Sequence, residues 1–144
     1  MMWSRCIAAL FLSCLGTPDP DMVLEDYYVY LNGKSSAGLE SEVLVEQTKA
    51  LVALPMIASH FHDGMIVLRF YPGWGSCVEW NAACTGSFAG IARANETVLY
   101  YGGDPTITLS RTAFAHELGH VLLMRAYPGI KAVDQEVVLR KAGL

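Results

Sequence analysis

The stretch FAHELGHVLLM, residues 114–124, constrains this chain more than any other because it asks one helix to satisfy two environments. At 3.6 residues per turn, Phe114, Leu118, Val121 and Leu122 fall on a single stripe that has to be buried. His116 and His120, four residues apart, stack on another side with Glu117 close to them in angle. A fold that accepts this helix must pack it against a core along one face and open a cleft along the other. Gly119 lowers helix propensity by roughly 1 kcal/mol relative to alanine, which makes sense if another backbone passes close by.

The rest of the chain has to supply that core. With 144 residues, 53% of them hydrophobic and 17% charged, it has the size and character of one compact domain. A formal net charge of -4 and the lack of Lys/Arg clusters exclude the electrostatic footprint of a nucleic-acid binder. Residues 1–17 read separately. Arg5 precedes an apolar run from Cys6 to Leu15, the layout of a secretory leader and too short to span a membrane. The alternative is an apolar N-terminal helix kept in the fold. FLSC at 11–14 resembles a bacterial lipoprotein processing site, which would make a lipid on Cys14 the route of any membrane contact. An exported protein is therefore expected, whether secreted, periplasmic or held in the cell envelope, with residues 18–144 forming its domain. Cys6 and Cys14 then belong to the leader. Cys77 and Cys84 remain for a disulfide around the VEWNAA loop, or for two buried thiols if the leader is not one.

Along the domain, DYYVYLNG at 26–33 reads as a strand ending in an Asn32-Gly33 turn. From Leu39 the spacing of Leu39, Val43, Leu44, Leu51 and Leu54 among Glu40, Glu42, Glu46 and Lys49 predicts an amphipathic helix that Pro55 disturbs. MIVLRFYP at 65–72, CVEW at 77–80, FAGIARA at 88–94 and ETVLYYGG at 96–103 read as strands, the last two joined by a tight hairpin at Asn95. Ser110 is expected to cap a helix from about Arg111 to Ala126, and AVDQEVVLRKAG makes a short final helix. This order predicts an α+β fold: a twisted mixed sheet backed by helices, the histidine-bearing helix followed by a short C-terminal one.

Two neutral imidazoles one turn apart suit zinc. A catalytic zinc takes three protein ligands, leaves one position for water, and lowers the pKa of that water to about 7. Glu117 stands where a general base would take the proton. HELGH at 116–120, after a strand-rich half and an early helix, resembles the signature of the zincin metallopeptidases. The branch depends on the third ligand. Metzincins need a glycine three residues after the second histidine and another histidine three further on, where this chain has Leu123 and Ala126.

Gluzincins bring a glutamate from a following helix, and length selects Glu136. Six residues from His120 carry the chain about 9 Å along the helix axis, and a helix returning from Lys131 regains most of that by Glu136. In size the chain is most similar to the minigluzincins. Asp134 is a competing ligand or a helix cap, and Glu136 could instead pair with Arg140, which stands where gluzincins often carry an aspartate. Cys77 is the other competitor, because peptide deformylases combine an upstream cysteine with the same histidine motif. GSCVEW lacks their EGCLS sequence, however, and Ala115 stands where they carry glutamine.

The resemblance implies a zinc endopeptidase acting on peptide or protein substrates, with His116, His120 and Glu136 on the metal, Glu117 as base, and Phe88 to Arg93 as the rim that grips substrate. The alternative is a non-catalytic module that uses zinc, or a relic of its site, to support a binding surface. A monomer is expected. The HFH triplet at 60–62 reads as a structural helix-end or loop feature, and Tyr71, Tyr100, Tyr101 and Tyr127 are candidate oxyanion donors.

Overall fold

The computed structural model describes residues 18–144, so the expected leader, with Cys6 and Cys14, lies outside the described residues. Its centre is β3 (Ile66–Tyr71), where Ile66, Leu68 and Phe70 are fully buried and alternate with half-buried neighbours. That period of two drives one face of the strand into the core. β3 pairs in parallel with β2 (Tyr27–Tyr30) on one side and with β7 (Glu96–Tyr100) on the other. β1 (Met22–Leu24) and β6 (Gly90–Arg93) add antiparallel edges, giving a five-stranded mixed sheet in the order β1-β2-β3-β7-β6. A small separate sheet pairs β4 (Gly75–Ser76) with β5 (Ser87–Phe88).

One face of the five-stranded sheet carries the helices. Between β2 and β3, α1 (Leu39–Ala53) turns Leu39, Val43 and Ala50 inward. α2 (Phe114–Ala126) packs against α1, β6 and β7, and α3 (Ala132–Lys141) packs against α2. Tyr27, Phe61, Phe70, Phe114, Leu118 and Leu122 are among the largest fully buried side chains of the single core they share. The fold is the expected α+β arrangement.

Three local expectations are corrected. CVEW is not a strand: residues 77–80 turn, because the Cys77–Cys84 disulfide holds the loop ends at a Cα separation of 5.6 Å and an extended run would carry them apart. Residues 88–94 are not one strand either. The chain bends at Ala89, sending Phe88 to the small sheet and Gly90 to the large one. Gly75 permits this, since a Cβ there would lie 2.4 Å from the Phe88 ring. The tight β6–β7 hairpin is as expected, its turn made of Ala94 and Asn95, and Ala94 takes a positive φ of 48°.

The third correction is the start of α2. Ser110 lies in a 3-10 turn, Leu109–Arg111, and the α-helix begins at Phe114 with no side-chain cap. Glu42 of α1 explains the shift by accepting from the Leu109 amide at 2.9 Å, while the Thr112 hydroxyl accepts from the Phe114 amide at 3.3 Å. These partners meet backbone donors that a cap would otherwise serve. β1 is an addition that the sequence pattern does not signal.

Candidate metal centre

α2 meets both of its demands. Phe114, Leu118, Val121 and Leu122 are all fully buried, while His116 and His120 keep side-chain exposures of 29% and 13%, and His120 lines a cleft. α3 returns antiparallel beneath them and brings Glu136 level with His120. His120 Nε2 lies 2.8 Å from Glu136 Oε1 and 3.2 Å from His116 Nε2, and His116 Nε2 lies 3.3 Å from the same carboxylate oxygen. Ligand atoms of His116, His120 and Glu136 thus converge within 4.8 Å and could hold a metal ion.

The spacing is a test of fit. Nitrogen and oxygen ligands about 2.0–2.1 Å from a tetrahedral ion lie roughly 3.3 Å from one another. The imidazole–imidazole and His116–Glu136 separations, 3.2 and 3.3 Å, match that figure, and the His120–Glu136 separation of 2.8 Å is shorter, so Glu136 has to draw back slightly from His120 to admit an ion.

The surroundings hold these groups in place. His116 Nδ1 donates to the main-chain oxygen of Leu144 at 3.1 Å, and His120 Nδ1 lies 2.7 Å from Gln135 Oε1. Partial burial pushes the Glu136 carboxyl upward, but the charges of His116 and His120 and their hydrogen bonds outweigh it. Its pKa therefore sits below the ordinary carboxylate value. Gly119 lets α3 approach: a Cβ there would lie 2.5 Å from Leu139 Cδ2. The neighbour is a side chain, not the backbone expected from sequence.

Glu117 is buried, and its backbone belongs to the first turn of α2. Burial pushes its carboxyl above the ordinary range, with His120 and His116 partly offsetting the effect and Glu136 adding to it. The carboxyl borders an open cleft of about 410 Å³ that His120 and Glu136 share, with Ala82 and Cys84 of the disulfide loop along one wall and Gly90 to Arg93 of β6 along another. Gly90 makes room for it, since a Cβ there would meet Glu117 Cγ at 3.0 Å.

The competing residues separate from this group. Asp134 makes no cap bond and is outside the converging set, and Cys77 is buried in its disulfide and offers no thiolate. Glu136 pairs with the two imidazoles instead of Arg140. His60 binds Asp63 at 2.7 Å and His62 faces Asp26 at 3.7 Å, both in the 3-10 helix Ala58–His62. None of the four candidate tyrosines lines the cleft. Tyr101 donates its hydroxyl to the Asn32 carbonyl, and Tyr71 and Tyr100 pack with Trp80.

Gln135 is a site residue that sequence reasoning misses, as is the room that Gly90, within the expected rim, leaves for Glu117. Gln135 carried a signal: it shares the buried stripe of α3 with Leu139, and a polar residue on such a stripe needs a partner. No family model, no curated protein and no solved structure matches this chain.

Proposed function

We propose that the chain is a zinc-dependent peptidase in which His116, His120 and Glu136 hold the ion and Glu117 is the general base. The convergence of two imidazole nitrogens and one carboxylate oxygen within 4.8 Å of one another, beside a buried carboxyl, carries this reading. It agrees with the resemblance of HELGH to the zincin signature. Zinc bound there supplies a Lewis acid and lowers the pKa of water to about 7.

Glu117 is suited to move a proton. A carboxyl raised by burial accepts a proton more readily than an exposed one and can pass it on to a departing amine. Among the described residues β6 is an edge of the sheet, so its outer side offers backbone pairing to an extended peptide along the cleft wall. Such pairing would let a small domain grip a polypeptide without a deep pocket. The disulfide between Cys77 and Cys84 supports work in an oxidising compartment, consistent with export.

The experiment is zinc loading followed by a broad peptide library. The wild type should bind one zinc and cleave, and Glu117→Gln should keep the zinc while turnover falls by about 10²- to 10⁴-fold. Fully loaded protein that cleaves nothing in the library would replace the peptidase with a zinc-supported binding module.

A further inference from the structure

We propose that Gln135 is a positioning residue that locks His120 into the tautomer able to bind a metal. The proposal rests on the metal-centre reading above and adds how one of its histidines is prepared for it. Gln135 is buried between the imidazole of His120 and the turn that enters α3. Its Nε2 lies 3.2 Å from the main-chain oxygen of Ile130. A carbonyl oxygen only accepts, so the NH2 end of the amide must face Ile130 and the oxygen end must face the ring. The reversed amide would set two acceptors against each other.

The rest follows from the amide's direction. Gln135 Oε1 only accepts, so the ring nitrogen 2.7 Å away, His120 Nδ1, has to carry the hydrogen. In the neutral ring that leaves the lone pair on Nε2, the atom facing His116 Nε2 and Glu136 Oε1. The Leu144 main-chain oxygen imposes the same tautomer on His116. With both rings neutral, two lone pairs and a carboxylate oxygen face one another, an arrangement that calls for a cation among them.

A neutral amide is also the group that this place requires. A glutamate at 135 could accept from His120 but would have no proton for Ile130, and it would add charge beside Glu136 and Glu117. α3 therefore contributes a ligand and the support of another ligand from successive residues, 135 and 136.

The experiment uses the metal-free protein with nitrogen-15 histidine for tautomer assignment, and a competing chelator for zinc affinity, on wild type, Gln135→Leu and Gln135→Glu. His120 in the wild type should be protonated on Nδ1. Gln135→Leu, close in size and without an acceptor, should weaken zinc binding about 10- to 100-fold and mix the His120 tautomers while His116 stays unchanged. Gln135→Glu, which restores the acceptor, should keep Nδ1 protonated and recover much of the lost affinity.

A wild-type His120 protonated on Nε2, or a Gln135→Leu variant binding zinc within about threefold of wild type, would overturn the proposal. If disturbed His116 signals show that Gln135→Leu misfolds, loss of the Nδ1 proton in folded Gln135→Glu would overturn it instead. Wild-type protein that keeps the expected tautomer yet takes up no zinc sinks the metal centre, and with it the purpose assigned to Gln135.

Discussion

Burial raises the Glu117 carboxyl, and this has a consequence for stability that can be read without any substrate. In the unfolded chain Glu117 releases its proton at the ordinary glutamate value, whereas in the folded chain it holds the proton to higher pH. Between those two values folding takes up a proton, so stability falls as pH rises through the window and the loss is complete above the folded value. Metal-free Glu117→Gln should therefore melt above wild type at about pH 8, the gap closing as pH falls from the raised folded value to the ordinary glutamate value. Equal melting temperatures at both ends would contradict this. Gly90 is the second residue to test. Gly90→Ala sets a methyl 3.0 Å from Glu117 Cγ, 3.1 Å from Leu99 Cδ2 and 3.2 Å from the Val98 oxygen. It should destabilise by about 1–3 kcal/mol in denaturant titration and lower turnover more than zinc affinity.

The pair α2 and α3 makes the site, and Gly119 sets how closely they pack. Gly119→Ala improves helix propensity by about 1 kcal/mol, but its methyl collides with Leu139, an overpacking worth about 1–3 kcal/mol. A net loss of stability and weaker zinc binding should follow, because Glu136 rides on the displaced helix. Adding Leu139→Ala should recover zinc affinity in a non-additive way, and strictly additive effects would refute the contact. The same pair marks what sequence makes legible. The two faces of α2 follow from residues within one helix, and Glu136 follows from the length of a return path, so His116, His120, Glu117 and Glu136 can be placed from sequence. Features that depend on partners far along the chain cannot. Ser110 loses the helix start to Glu42, and CVEW turns because Cys84 recaptures Cys77. The glycine at 119 answers to a leucine that only the packed helix reveals.

At the scale of the molecule, metal and fold should be linked. An ion that binds only the folded chain stabilises it by about 2.7 kcal/mol at a concentration of 100 times its Kd. Thermal melts should rise with added zinc and fall again with chelator, while His116→Ala should melt at the same temperature with or without zinc. The sheet and its core do not need the ion, since Ile66, Leu68, Phe70, Phe114 and Leu122 are fully buried by one another. The metal-free protein should therefore stay folded with its site preformed. The most direct measurement is X-ray absorption at the zinc edge on protein loaded with one equivalent. Two imidazoles and light oxygen ligands at about 2.0–2.1 Å, with one imidazole lost in His120→Ala, are the predicted result. A sulfur ligand, or a spectrum unchanged by His120→Ala, would contradict a centre built from His116, His120 and Glu136.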